Sequence, residues 1–414
     1  MKKFFSKKIT KVVLVIIVCF GFAIGLSGCV SMPTGIYIET YPAKLVYQIG
    51  EVPNFDGLKV KTINTDGTHR RVYLNQNELP KIDTSTSGKK EVVVTKDGFS
   101  VSFDIFVANV VVNDSDNIKQ IFAGLEDGDI VYLRAGNYDP QNEQDQRFKD
   151  IEITKSITIV GDGVGKTNFF GNFLVGATVT QNGFQKVQTQ NVTIRDIAFR
   201  LDFEQKDGLA VYEGPYGNTD TNGAIRFFDT KNLTVQNCSF ANYAYGIVGD
   251  NANGLTVFEN EFCGMLKSAV CTNVDTQNTL VAKNIILDTA LNVVSFAQNE
   301  QEHLGAIILS FASDGPKGVI VCKNTINRTG FHRADVLHYD QNSKDVAMST
   351  NQKIFELTYI NNTAGVIIKS SGADNLKVTN VVLSTNNLGQ ALANIKFSTN
   401  ANNSVNPNGI IILD

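Results

Sequence analysis

The chain has 414 residues, of which 43% are hydrophobic and 19% charged, with 34 glycines and no tryptophan. This composition excludes a disordered chain and allows a large buried core. The formal net charge of −4 argues against nucleic acid as a partner held by bulk electrostatic attraction, and no run of Lys or Arg suggests a basic groove.

The N-terminus has the layout of an export signal. Residues 2–11 carry five lysines and residues 12–23 form an apolar run that is short for a membrane span. The LSGC motif that ends at Cys29 resembles a bacterial lipobox, which implies a signal peptide over residues 1–28 and a diacylglyceryl group on Cys29. Loss of the five lysines would shift the net charge from −4 to −9. We therefore expect an extracytoplasmic protein anchored to the membrane by lipid, with residues 29–35 as a tether; an uncleaved membrane anchor is the alternative.

A small module is predicted over residues 36–108. VVVTKDGFSVSFDIFV alternates polar and apolar residues around Asp97-Gly98, a dipeptide favoured in two-residue type I′ hairpins, and Asp66-Gly67 predicts a second such turn. The segments YPAKLVYQIGEVPNFDGLKV and IDTSTSGKKEVVVTKDG resemble bacterial Ig-like domains. The resemblance implies a small β-sandwich that acts as a spacer or adhesive module.

A short amphipathic helix is predicted next, in DSDNIKQIFAGL. Asp114 or Ser115 would be its N-cap, and one face would carry the apolar residues Ile118, Ile121, Phe122 and Leu125. Such a helix would cover the open end of a strand stack, where unpaired edges otherwise invite association.

The second half of the chain repeats one apolar strand at a spacing of about 23 residues. One position of the strand is shared by Val235, Val257, Val281, Val321 and Val378, and a later one by Asn260, Asn284 and Asn324. A second apolar rung precedes the strand, at Ile225, Ile247, Val270, Val293 and Val366. A single unit cannot bury its own apolar face, so we expect stacked coils with the valines inside and the asparagines hydrogen-bonded from coil to coil. An antiparallel sandwich with accidental similarity is the alternative.

The start of this region carries a family resemblance. LEDGDIVYLRAGNYD and IEITKSITIVGDGVGKT resemble the opening of right-handed parallel β-helix proteins of the pectate lyase and pectin methylesterase type. The resemblance implies an all-β chain, in which the Ig-like sandwich is followed by a right-handed parallel β-helix over residues 109–414 with an N-terminal capping helix.

Four cysteines remain in the predicted β-helix, and their spacing fits no zinc site. We interpret Cys238, Cys263, Cys271 and Cys322 as small packing residues. A Cys238–Cys263 bridge between adjacent coils is the alternative.

Two insertions between coils hold the candidate site residues. In the first insertion, calcium could be bound by the carboxylate oxygens of Asp202, Glu204 and Asp207. We also predict that a sugar contacts Tyr212, Tyr216 and Asp220. In the second insertion, the candidate catalytic residues are His332, Arg333, Asp335 and His338. Histidine can act as a base, arginine can bind an anion, and aspartate can orient the histidine. For both insertions a solvated loop with surface ion pairs is the alternative.

The resemblance implies two kinds of catalysis, and the motifs of both are missing. Lyases of this type need acidic calcium ligands with an Arg or Lys base, and hydrolases need two or three Asp in fixed geometry. Asn218-Thr219-Asp220 copies only the first element of the polygalacturonase signature. We therefore predict a non-catalytic surface lipoprotein whose β-helix binds polysaccharide or another surface ligand. A polysaccharide lyase or glycoside hydrolase is the alternative.

Overall fold

The computed structural model describes residues 31–74, 78–142, 144–201 and 223–289 without a break, together with Asn324 and strand segments of the rest. Internal contacts divide the chain into two compact units. One contains the described residues up to Leu45, Val52–Asp83 and Lys90–Ile105; the other contains Val46–Glu51, Thr84–Lys89 and the described residues from Phe106 onward. Among the residues described, no helix is both long and apolar enough to cross a membrane. The domain boundaries at residues 28, 35 and 108 stay predictions.

Six strands in two sheets build the N-terminal sandwich. One sheet is antiparallel, in the order β1 (Pro33–Thr40), β3 (Lys59–Asn64) and β4 (His69–Val72). The other has the order β2 (Val46–Gln48), β6 (Phe99–Ala108) and β5 (Gly88–Lys96). Alternate strand residues are buried, including Val60, Val92, Val94, Phe103 and Ile105. The alternation read from the sequence is therefore the inward and outward alternation of a sandwich.

The two predicted turns of this module have different outcomes. Asp97 and Gly98 have φ angles of 52° and 83°, the two left-handed residues that a type I′ hairpin needs, so this prediction is confirmed. In the second turn only Gly67 is left-handed, with φ of 75°. The Asp66 carboxylate there accepts hydrogen bonds from the backbone N–H and hydroxyl of Thr68 at 2.9 and 2.6 Å. These hydrogen bonds favour a turn longer than the two-residue type I′ turn, so the prediction for Asp66-Gly67 is wrong.

Three ladders of parallel strands form the right-handed β-helix. The first ladder starts where β7 (Val110–Val112) pairs with β8, and it contains β8 (Ile130–Leu133), β11 (Thr158–Gly161), β16 (Thr189–Arg195), β23 (Thr230–Gln236), β26 (Thr256–Phe258), β29 (Leu280–Ala282) and β32 (Ile320–Cys322). The second contains β9 (Gly136–Tyr138), β12 (Thr167–Phe169), β17 (Ala198–Arg200), β24 (Ser239–Ala241), β27 (Glu261–Cys263), β30 (Ile285–Thr289) and β33 (Thr325–Thr329). The third contains β10 (Ile151–Ile153), β13 (Phe173–Val175), β22 (Gly223–Phe228), β25 (Tyr245–Asn253), β28 (Ser268–Gln277) and β31 (Gly305–Leu309).

The remaining strands extend this stack or project from it. Towards the C-terminus, β34 (Lys353–Tyr359) and β36 (Lys377–Ser384) continue both the first and second ladders, β38 (Ile410–Leu413) follows β36, and β35 (Ile367–Ser370) pairs with β37 (Lys396–Thr399). Antiparallel hairpins are formed by β14 (Ala177–Thr180) with β15 (Gly183–Lys186), β18 (Glu204–Lys206) with β19 (Leu209–Val211), and β20 (Glu213–Gly214) with β21 (Gly217–Asn218).

The predicted valine rung is a continuous row of the first ladder. Val235, Val257, Val281 and Val321 pair in sequence, and Ile354 occupies a further coil before Val378. Val235, Val257 and Val281 are fully buried, each with 0% exposure. The prediction of an inward valine row is confirmed for these three residues.

The prediction of the second rung is confirmed for its first three residues and is wrong for the fourth. Ile225, Ile247 and Val270 pair in the third ladder, but the residue that follows them is Ile307 and not Val293. The coil between Asn284 and Asn324 spans 40 residues, whereas the preceding one spans 24. Counting one period from Val270 therefore stops inside an insertion. Val293 and Val366 themselves lie outside the described residues.

A buried asparagine ladder joins the coils at the turn after the first ladder. The Nδ2 of Asn284 donates to the carbonyl oxygen of Val257 at 3.0 Å, and its Oδ1 accepts the backbone N–H of Asn260 at 3.0 Å. Asn260 and Asn324 make the equivalent bonds one coil earlier and later. The predicted coil-to-coil ladder is confirmed, and Cys238 stands at its first position, where its N–H donates to Asn260 Oδ1 at 2.9 Å.

Among the described residues, no disulfide joins Cys238, Cys263 or Cys271, so the Cys238–Cys263 bridge is wrong. Cys263 pairs with Ala241 in the second ladder, beyond the turn that holds Cys238, and is partly exposed where Cys238 is buried. Burial raises the pKa of Cys238 and Cys271 to about 12, which makes both thiols unreactive. Their interpretation as packing residues is confirmed, while the side chain of Cys322 lies outside the described residues.

A helix α1 (Ile118–Ala123) caps the N-terminal end of the β-helix. Ile118, Phe122 and Leu125 are buried in its main core, and the Phe122 ring lies 6.1 Å from that of Phe173. The predicted apolar face is confirmed, but the N-cap is Asn117, whose side chain accepts from the Gln120 N–H, rather than Asp114 or Ser115. The helix starts later because Asp116 accepts from the backbone N–H of Asn113 at 2.7 Å and holds a turn there.

Candidate functional site

The predicted site residues lie outside the part of the chain whose side chains the structure describes. These are Cys29, Asp202, Asp207, Tyr212, Tyr216, Asp220, His332, Arg333, Asp335 and His338. Only the backbone of Glu204 is described, at the start of β18 opposite Val211. The calcium, sugar-contact and catalytic assignments therefore stay predictions.

A polar groove of about 480 Å³ lies on the β-helix where the third ladder turns into the first. Four successive coils contribute to its walls, so it runs along the axis of the stack. We call it the corner groove, and its lining residues are Lys186, Gln188, Asp229, Thr230, Lys231, Asn251, Ala252, Asn253 and Gln277.

One position of the corner groove recurs on consecutive coils. Lys231 pairs with Asn253, and Asn253 pairs with Gln277, in one unbroken register. Neighbouring strands are about 4.8 Å apart, so these side chains repeat at that interval along the groove. A ligand that lies along the axis therefore meets a polar side chain at each of these three coils.

Left-handed residues bend the backbone beside this row. Asn232, Gly254 and Asn278 have φ angles of 55°, 84° and 47°, each one residue after a member of the row. A Cβ at Gly254 would lie 2.5 Å from Asn232 Oδ1, so a larger residue there would displace the Asn232 side chain. Asn278 Nδ2 also donates to Asn253 Oδ1 at 2.9 Å, which orients the Asn253 amide. The bend directs the row towards solvent.

The β14–β15 hairpin forms one rim of the groove. Lys186 Nζ at its end lies 3.4 Å from Asp229 Oδ2 and 3.9 Å from Asp250 Oδ2, two carboxylates on adjacent coils. The Asn251 amide also donates to Asp229 Oδ1. The lysine thus neutralises charge that would otherwise repel between the coils.

An aromatic and guanidinium stack holds the hairpin against the third ladder. The Arg226 guanidinium lies 4.4 Å from the ring centre of Phe184 on the hairpin, and the Phe184 and Phe228 rings are 5.7 Å apart. Burial lowers the pKa of Arg226, and the negative charges of Asp150 and Asp250 oppose that shift. Arg226 stays protonated because its ordinary pKa is far above neutrality. The rim is therefore a packed element of the fold.

The chemistry of the corner groove suits hydroxyl-rich ligands. The lining includes the amide side chains of Gln188, Asn251, Asn253 and Gln277, a group that carries both donors and an acceptor, and the Lys231 ammonium. Within the described ranges, no group of three or more His, Cys, Asp or Glu residues could hold a metal ion.

Sequence reasoning missed this groove, although the repeat alignment contains it. Lys231, Asn253 and Gln277 each stand four residues before a valine of the inward row. A polar residue at the same offset in three consecutive coils was the available signal.

Comparisons with known proteins identify the first module. Residues 40–107 match the profile of the bacterial Ig-like domain (group 3). These residues form a bacterial Ig-like domain. No curated protein is significantly similar to the chain.

Solved structures similar to the chain share little sequence with it. The catalytic domain of a GH87 α-1,3-glucanase in complex with tetrasaccharides aligns over 93% of this chain and 75% of its own, at 13% identity and a TM-score of 0.38. A Yersinia enterocolitica family 28 exopolygalacturonase aligns over 86% and 81%, at 11% identity and 0.33. A Bacillus subtilis pectate lyase variant aligns over 73% and 80%, at 12% identity and 0.30. Likeness at this level transfers no activity, so function is argued from the groove.

Proposed function

We propose that this chain is a lipid-anchored surface protein whose β-helix binds a polysaccharide along the corner groove. The observation that carries the proposal is the in-register row of Lys231, Asn253 and Gln277. A linear polymer of like units presents the same hydroxyls repeatedly, and a row on three consecutive coils offers successive units a hydrogen-bonding side chain at a regular interval. The Ig-like domain is the spacer between the anchor and this surface.

Solvent exposure of the row supports a binding role over a structural one. Lys231 and Asn253 are exposed, whereas Thr230 and Ala252 beside them are buried in the corner. Thr230 Oγ1 donates to the carbonyl oxygen of Phe228 at 3.1 Å and so belongs to the fold itself. The exposed members can therefore be changed with little effect on stability.

Titration calorimetry of the full-length protein with a panel of soluble neutral and acidic polysaccharides tests the groove. We expect one member to bind, and Lys231→Ala with Asn253→Ala to weaken it by about tenfold or more, because two hydrogen-bonding contacts are lost. The matched control pairs Lys166→Ala with Asn137→Ala, an exposed Lys and an exposed Asn outside the groove. Equal affinity in both double variants, or no binding by any member of the panel, contradicts the proposal.

The lipid anchor rests on the LSGC motif at Cys29. Cys29→Ser should leave the protein unlipidated, because the thiol is the only side chain of the motif that can form a thioether. Cells supplied with radiolabelled fatty acid would be fractionated after growth. Equal labelling of wild type and variant would contradict the anchor while leaving the groove proposal intact.

A polysaccharide lyase or hydrolase is the second candidate. The observation in its favour is the Asp229 and Asp250 carboxylate pair, which shares one ammonium group at the groove rim. Hydrolases use two such carboxylates as acid and base. We expect incubation with the same panel to produce no new reducing ends and no unsaturated uronide absorbance. Turnover that is lost in Asp250→Asn would reverse the order of the two candidates.

A further inference from the structure

A second cavity, of about 470 Å³, lies at the N-terminal end of the β-helix and shares no lining residue with the corner groove. Its walls come from α1, the segment around β10 and Val179 on the first strand of the β14–β15 hairpin. The volume falls in the range of small-molecule sites. We call it the cap cavity.

The polar wall of the cap cavity has a positive balance in a chain of net negative charge. Lys119, Lys149 and Lys155 line it against two carboxylates, Asp150 and Glu152. Each carboxylate is already engaged by the protein, since Glu152 Oε1 accepts the Val179 N–H at 2.8 Å and Asp150 Oδ1 accepts the Asn172 amide at 2.7 Å. In the described part of the chain, neither Lys119 nor Lys155 forms an ion pair. The cavity therefore holds cations available to an anion.

The rest of the lining restricts the kind of anion. Phe122 and Ala123 of α1 and the 48% exposed Val179 provide an apolar wall, and Gln146 and Thr154 provide hydrogen-bonding groups. A compact inorganic anion would leave the apolar wall uncovered, whereas a sugar ring has an apolar face, hydroxyls at its rim and room for one carboxylate. Charge-assisted hydrogen bonds from lysine to carboxylate are the stronger contacts in such a site.

We propose that the cap cavity binds one hexuronate residue, with its carboxylate between Lys119 and Lys155 and its ring against Val179. The residue is either a free sugar acid or the end of an acidic oligosaccharide. This site is independent of the corner groove, so the two proposals can fail separately.

Calorimetry with sodium D-galacturonate and with digalacturonate tests the cavity on the full-length protein. Wild type should bind at least one of the two, and preference for either identifies the natural source. Lys119→Gln with Lys155→Gln should weaken binding by about tenfold or more, through loss of charged hydrogen bonds. Val179→Glu should also weaken it, because a tethered carboxylate competes for the lysines. Lys166→Gln, an exposed lysine outside the cavity, should leave affinity unchanged.

Three results would overturn the proposal. They are the absence of binding to either compound, equal affinity in the double glutamine variant, and binding of D-galactose as tight as that of galacturonate. A loss of galacturonate binding in Lys231→Ala with none in the double glutamine variant would place the sugar acid in the corner groove instead.

Discussion

Replacement of Asn284 by Leu removes the centre of the buried asparagine ladder. The Asn284 side chain donates to Val257 O at 3.0 Å and to Asn324 Oδ1 at 2.9 Å. It accepts from the N–H and the Nδ2 of Asn260 at 3.0 and 3.1 Å. Leucine keeps the branched shape of the side chain but makes none of these bonds. The change therefore tests hydrogen bonding with little change in volume.

The expected cost follows from the groups left without a partner. The Asn260 N–H loses its acceptor in a site where Asn260 is only 2% exposed, and an unsatisfied buried donor costs about 1–3 kcal/mol. The Val257 carbonyl and the two neighbouring amides lose one bond each, so we expect a total of about 2–5 kcal/mol. The control is Asn137→Leu, because the exposed Asn137 accepts a single cross-coil bond from Asn168 at 2.9 Å. Loss of this one exposed hydrogen bond should lower the free energy of unfolding by under about 1 kcal/mol.

Urea unfolding of the full-length protein, followed by far-ultraviolet circular dichroism, measures both variants. The β-helix transition should move to lower urea for Asn284→Leu and stay close to wild type for Asn137→Leu. Equal midpoints for the two variants would refute the view that the buried ladder stabilises the stack more than its surface counterpart does.

Two further substitutions test the packing of the coils by the same unfolding measurement. Val257→Asp places a carboxylate in the dry interior and should lower the free energy of unfolding by several kcal/mol. Thr256→Asp changes a half-buried residue on the outward side and should lower it by under about 1 kcal/mol. The same urea midpoint for both variants would show that the inward and outward assignment is wrong. Gly249→Ala puts a Cβ 2.1 Å from the carbonyl oxygen of Phe227 and should lower the free energy of unfolding by about 1–3 kcal/mol. The control is Gly124→Ala, in which the added Cβ meets no atom closer than 3.5 Å. A larger loss of stability in Gly124→Ala than in Gly249→Ala would contradict the predicted crowding.

Local chemistry explains which turns and caps could be predicted. The Asp97-Gly98 hairpin follows from two residues that tolerate positive φ between alternating strands. The same dipeptide at Asp66 behaves differently because its carboxylate bonds to Thr68. The N-cap of α1 is likewise Asn117 because the Asp116 carboxylate bonds to the backbone N–H of Asn113 and holds a turn before the helix. Such competition is not visible in residue types alone.

The repeat itself determined the fold, because burial of an apolar face by stacking demands the same residue at the same place in every coil. The inward row through Val257 and the ladder through Asn284 could therefore be read from spacing. Two features depended on the tertiary structure, because residue spacing does not determine them. An insertion changes coil length without changing the register, so Ile307 rather than Val293 follows Val270. The corner groove likewise depends on a hairpin that returns Lys186 to carboxylates of two coils, a contact between segments far apart in the chain that no local pattern encodes.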